Sequence, residues 1–131
     1  MLVTVQNKSF VKMTNVMTTQ NLTYNATGKE EFKRTSTAAL RQIAKDLSLK
    51  EKKVCFNPGG IGVSGDASLY GMWEDNKGIY VTISQFGGNR IMFRTIKHIS
   101  DYTGGVNQWD DVENANADYG AFLNRLSRLR T

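Results

Sequence analysis

Apolar residues recur along this chain in two rhythms, and the change of rhythm divides it into elements. Between Lys29 and Leu47 the apolar positions Phe32, Ala39, Leu40, Ile43, Ala44 and Leu47 fall on one stripe of a 3.6-residue period, which predicts an amphipathic helix. Thr27, with Glu30 three residues on, reads as its capping box. The period then drops to two. Lys53–Phe56 reads as a short strand ended by Asn57-Pro58-Gly59-Gly60, and Ser68–Glu74 as a second, followed by the turn Asp75-Asn76-Lys77-Gly78, where Gly78 is expected to supply a positive φ. Ile79/Val81/Ile83 alternate with Tyr80/Thr82/Ser84 over 79–85, and Ile91/Phe93/Thr95 with Arg90/Met92/Arg94/Ile96 over 90–96. Helical spacing returns near the end, where Tyr119, Phe122, Leu123, Leu126 and Leu129 share a stripe over about 118–130.

Strands joined by short turns are most simply an antiparallel meander, and the order helix, strands, helix places helices on one sheet face. The expected fold is therefore α+β: an N-terminal helix, about four strands in a mainly antiparallel sheet, and a C-terminal helix. A single domain is expected over 28–131, preceded by an extended or partly mobile arm, residues 1–27, rich in Thr, Asn and Gln. The stretch 97–116 reads as a Gly/Asn/Asp-rich connection. At that length it is either functional or holds a short helix.

Composition narrows the function. The chain has 131 residues, with one His and one Cys, so neither an internal disulfide nor a Cys/His zinc site can form within it. No apolar run reaches the ~18–20 residues that span a bilayer, and the expectation is a cytoplasmic protein without a membrane partner. The net charge is +5, unevenly placed. Residues 1–53 carry ten basic groups against four acids, whereas 98–115 carry four acids (Asp101, Asp110, Asp111, Glu113) and no Lys or Arg. Such a bipolar chain can orient on a charged partner.

Three motifs suggest chemistry, and each has a plainer reading. Gly60-Ile61-Gly62-Val63-Ser64-Gly65 matches the dinucleotide fingerprint in letters. That fingerprint needs a helix opening at its last glycine, and the residues that follow read as strand, so a tight turn is preferred and no cofactor is expected. Cys55 with His98 is the one conceivable nucleophile–base pair, but Cys55 stands in a short apolar strand where a buried, inert thiol is the commoner outcome. The four acids of 98–115 match no metal-loop spacing and read as a solvated patch.

The sheet itself is more informative. If the apolar sets of the meander face the helices, the other face displays Tyr70 or Trp73, Tyr80, Arg90 and Arg94, a platform for stacking bases and pairing phosphates. The alternative is that residues 1–27 or a second copy of the chain cover that face, so a homodimer stays open.

Two stretches resemble small proteins and domains carried by phages and integrative elements of Gram-positive bacteria. They are Pro58-Gly59-Gly60-Ile61-Gly62-Val63-Ser64-Gly65-Asp66 running on to Leu69-Tyr70-Gly71-Met72-Trp73, and Phe93–Ile99 running on to Asp101-Tyr102-Thr103-Gly104-Gly105 and Asn107-Gln108-Trp109. The resemblance implies an accessory role in a mobile element, including anti-defence factors such as anti-CRISPR inhibitors. Its partner would then be a bacterial defence effector such as a CRISPR nuclease, with or without its guide RNA or target DNA. Inhibitors that mimic DNA are acidic, and a net +5 argues against that mechanism. The expected reading is a non-enzymatic binding protein. It would use Lys33, Arg34, Lys52, Lys53, Tyr80, Arg90 and Arg94, with loop contacts from Gly60, Gly62, Asp101, Tyr102 and Trp109. The other readings are a DNA- or RNA-binding accessory protein and a sponge for a nucleotide signal, the latter using Gly59–Gly65 with Arg90 or Arg94.

Overall fold

The computed structural model describes residues 29–58, 65–84, 89–100 and 105–130. Over these the elements are α1 (Lys29–Asp46), β1 (Glu51–Asn57), β2 (Asp66–Met72), β3 (Gly78–Ser84), β4 (Arg90–Ile96), β5 (Gln108–Asp111), α2 (Val112–Ala117) and α3 (Tyr119–Ser127), closed by a 3-10 turn, Arg128–Arg130. The strands pair antiparallel in chain order, β1 to β5. This is the α+β fold the two rhythms predict. The arm 1–27 and the Thr27 cap lie outside the described residues.

Strict alternation sorts every strand residue onto one of two faces. Ala67, Leu69, Ile79, Val81, Ile83, Ile91 and Phe93 point to the helix side and are fully buried. There they meet Phe32, Leu40 and Ile43 of α1 and Phe122 and Leu126 of α3 in one apolar cluster. The other face carries a separate, smaller cluster, Tyr70, Met72 and Ile96, with Tyr80 and Ile99 against it. Trp73 shares the parity of Ala67 and Leu69, so it belongs to the core, where its indole N–H donates to the Leu47 carbonyl at 2.8 Å. Of the two rings offered for the outer face, it is Tyr70 that stands there.

The helix ends are set by local hydrogen bonds. Past α1, Ser48 N–H donates to the Lys45 carbonyl (3.0 Å) and Leu49 N–H to the Ala44 carbonyl (3.1 Å), a Schellman ending in which Ser48 takes the left-handed φ of 56°. Near that end the Tyr119 hydroxyl donates to Asp46 Oδ2 at 2.8 Å, tying α3 to α1. Burial and the neighbouring carboxylate both hold the Tyr119 phenol far above the ordinary tyrosine range.

The connection 97–116 holds most of the short helix α2, one of the two readings offered for it. Two readings need correcting. The same connection also contains a strand, β5. Gln108–Asp111 has no apolar alternation to announce a strand; it is held by backbone pairing with β4 and by Arg125, which bridges Asp110 at 2.6 Å. The C-terminal stretch 118–130 is α3 with its 3-10 end, as expected, and α2 precedes it. Asp111 accepts from Asn114 N–H (2.6 Å) and Asp118 from Ala121 N–H (3.1 Å), each side chain capping its own helix. Second, the positive φ of the β2–β3 turn falls on Asn76 (64°), and Gly78 is not among the residues that adopt one. Gly78 is needed for closeness instead: a Cβ there would lie 2.5 Å from Met72 Sδ and 2.8 Å from the Ile96 carbonyl oxygen.

The same turn anchors the C-terminus. Arg130 bridges Asp75 at 3.0 Å with its guanidinium over the Trp73 ring, and Lys77 Nζ donates to the Arg130 carbonyl at 2.9 Å. Desolvation alone would raise the Asp75 carboxyl, but the Arg130 and Lys77 contacts outweigh it and hold the group below its ordinary value.

Two substitutions test these backbone assignments in opposite directions. Ser48→Gly is expected to stabilise the fold by roughly 0.5–1 kcal/mol, because a left-handed residue with a Cβ carries a strain of ~1–2 kcal/mol and glycine's extra unfolded freedom offsets only part of it. Gly78→Ala is expected to cost about 1–3 kcal/mol through overpacking against backbone that cannot move aside. Urea denaturation midpoints at constant slope read both.

Candidate functional site

No described helix covers the outer face of the sheet, and alternation loads that face with rings and cations. Strand register places Lys53 opposite Tyr70, Tyr70 opposite Tyr80, and Tyr80 opposite Arg94, one residue from each of four strands in a single row. The row is stacked throughout. Lys53 Nζ lies 5.0 Å from the Tyr70 centroid, the two tyrosine rings are 4.8 Å apart, and the Arg94 guanidinium carbon lies 4.7 Å from the Tyr80 centroid. Such cation–ring contacts are worth about 0.5–1 kcal/mol at exposed sites and more when desolvated. The next row has hydroxyls at its centre: Ser68 Oγ shares a hydrogen bond with Thr82 Oγ1 (3.2 Å) and another with Tyr80 Oη of the first row (3.3 Å).

The row is less open than the alternation predicts. Tyr70 and Arg94 are only 8% and 7% exposed, and each stacks on Tyr80 within the row. Arg94 also donates to the Thr95 carbonyl at 3.4 Å. The accessible groups stand at the ends. Lys53 is exposed on β1, and on the far side the Arg90 guanidinium lies 5.9 Å from the ring of Trp109, which is 55% exposed. Trp109 was expected as a loop contact; it is a strand residue on β5, paired with Met92.

The remaining expected contacts do not join this patch. Lys52 points to the helix side, one residue out of phase with Lys53. Lys33 lies over the Phe56 ring (5.7 Å), and Arg34 on the solvent side of α1 is engaged by Glu31 at 2.7 Å, which raises its pKa further. Thus Lys53, Tyr80, Arg90 and Arg94 share one face while Lys33, Arg34 and Lys52 border the other. Gly60, Gly62, Asp101 and Tyr102 lie outside the described residues. What sequence reasoning missed was the choice of Tyr70 over Trp73 and the hydroxyl pair Ser68–Thr82. The signal was present, since the parity of Ala67/Leu69 against Ser68/Tyr70 decides both.

The motifs with a catalytic or cofactor reading come apart. Cys55 and Met92 share a cross-strand row three strands apart, about 14 Å at ~4.8 Å per strand, and His98 lies further along beyond β4. His98 is exposed, with Nδ1 3.0 Å from Ser100 Oγ. Gly65 (φ 90°) leads directly into β2, so a strand and not a helix follows the last glycine of the motif. Asp110 is spent on Arg125 and Asp111 on its cap. Among the described residues no group of three or more His, Cys, Asp and Glu is placed to hold a metal ion, and no helix is long and apolar enough to cross a membrane.

Comparison of the chain with protein-family models, with curated proteins and with solved structures finds no match in any of the three.

The two tryptophans differ enough to test this geometry directly. Trp109→Phe is expected to abolish the acrylamide-accessible component of tryptophan emission, leaving the shielded signal of Trp73. Stability should move by less than about 0.5 kcal/mol, as for a surface site.

Proposed function

We propose that the chain is a non-enzymatic binding protein of a phage or mobile element that acts in the cytoplasm of a bacterial host. It inhibits a defence nuclease, of which a CRISPR effector is the leading case, by docking on the effector where that protein holds guide RNA or target DNA. One observation carries the binding reading: an exposed Arg90–Trp109 pair ends a face that no described helix covers and that Lys53, Tyr70, Tyr80 and Arg94 line. An indole open to solvent beside a guanidinium can stack a base and pair its phosphate at once. The resemblance of residues 58–109 to mobile-element proteins supports the choice of target.

The row also favours a second reading, a DNA- or RNA-binding accessory protein of the element that needs no nuclease. A sponge for a nucleotide signal finds no comparable support, since its glycine loop lies outside the described residues.

Cleavage assays with several guide-loaded effectors test the first reading. Inhibition at stoichiometric excess is expected, and Arg90→Ala with Trp109→Ala should weaken it at least tenfold. Undiminished cutting by every effector, together with binding of free oligonucleotides, would transfer the assignment to the accessory protein.

A further inference from the structure

Two large apolar side chains stand open to solvent among the described residues, Val106 (80% exposed) and Trp109 (55%). Both belong to the stretch that ends in β5, the outermost strand on one side of the sheet. Gly105 seats this stretch against the end of β4, since a Cβ there would lie 2.7 Å from the Thr95 carbonyl oxygen.

The hydrogen-bond ladder fixes where the main chain of β5 points. Val112 N–H donates to the Asn89 carbonyl at 2.8 Å, and these two residues continue the register that sets Arg90 opposite Asp111. Bonded and non-bonded pairs alternate along an antiparallel ladder. Counting back from Val112, Asp110 with Ile91 and Gln108 with Phe93 are bonded pairs, whereas Trp109 and Asp111 direct their N–H and C=O away from β4. The Asp111 N–H is already taken by Asp110 Oδ1 at 2.8 Å. No described strand lies beyond β5, so the Trp109 N–H and C=O are the open part of this edge.

An outward donor and acceptor between exposed apolar side chains is what an added strand binds. A segment laid beyond β5 pairs its main chain with Trp109 and sets one side chain beside the indole. Charge selects the segment. Residues 105–115 hold Asp110, Asp111 and Glu113 and no Lys or Arg. Arg125 neutralises Asp110, and Arg90, over the Trp109 ring, offsets one of the two remaining acids, both of which are exposed. The edge therefore stays net negative. It attracts a basic segment and repels the same edge of a second copy.

We propose that the open edge at Val106–Trp109 takes an extended basic segment of another protein, which adds to the five-stranded sheet as a further strand. This goes beyond the proposed function, which uses the Trp109 ring and Arg90 but not the main chain beside them, and it needs no nucleic acid.

The test is amide hydrogen exchange of the full chain, read by NMR, with an end-blocked heptapeptide of alternating Lys and Val as the probe. In the free chain the Trp109 amide is expected to exchange fast, while the Gln108 and Asp110 amides, bonded to β4, are protected. At about ten times its Kd the peptide should slow exchange at Trp109 roughly tenfold, because only the unbound fraction exchanges. Trp109→Ala loses the ring and keeps the main-chain donor. Trp109→Pro loses both, at a position where proline removes no bond to β4. The Pro variant is expected to bind the peptide roughly three- to tenfold more weakly than the Ala variant, the worth of one hydrogen bond. Should Trp109→Pro unfold, exchange in the unaltered chain decides alone. No protection at Trp109 up to millimolar peptide would overturn the proposal, as would equal binding by the two variants or by a Glu/Val peptide of the same length. Protection that rises with protein concentration in the absence of peptide would assign the edge to a second copy and overturn it too. Failure to inhibit any nuclease leaves the exchange result unchanged, so this inference and the proposed function fail separately.

Discussion

Antiparallel pairing in unbroken chain order is the constraint from which the rest of this protein follows. Because each strand neighbours the next and registers stay in phase, a residue's parity decides which face it joins across the whole sheet. Ala67, Leu69, Ile79, Val81, Ile83, Ile91 and Phe93 thereby form one continuous apolar floor under α1 and α3. The same phase relation aligns Lys53, Tyr70, Tyr80 and Arg94 on the reverse side. A slip of one residue in any strand would send its apolar set into solvent and break both arrangements together.

The polar side chains are mostly occupied in joining elements. Asp111 and Asp118 start helices, Asp110 binds Arg125, Asp46 binds Tyr119, and Asp75 binds Arg130. Of the acids in the stretch 98–115, Asp110 is in an ion pair with Arg125 and Asp111 caps α2. Among the described residues, the exposed cations outside these ion pairs include Lys33, Arg41 and Lys45 on α1, Lys52 and Lys53 on β1, and Arg90 beside Trp109. The functional reading rests on that remainder.

The helices and the four longer strands were legible because their periods were strong. In α1 the predicted stripe Phe32, Ala39, Leu40, Ile43, Ala44 and Leu47 is the buried stripe, and Arg90–Ile96 has the predicted limits. β5 was illegible for a physical reason: Gln-Trp-Asp-Asp carries no alternation, and its strand conformation comes from the partner strand's backbone. Gly78 was misread because turn glycines usually serve a positive φ, whereas here the glycine admits Met72 and the Ile96 backbone, neither of which is adjacent in sequence.

By itself the sequence determined the class of fold, the buried stripe of each long element and the excess of positive charge, all of which depend on local period and composition. Tertiary structure alone decided which charges stay available. Whether a cation is consumed by a carboxylate, stacked on a ring or left in solvent depends on strand register and helix placement. Arg34 and Arg41 stand seven residues apart on one helix, yet the first is paired with Glu31 and the second is exposed without an ion pair.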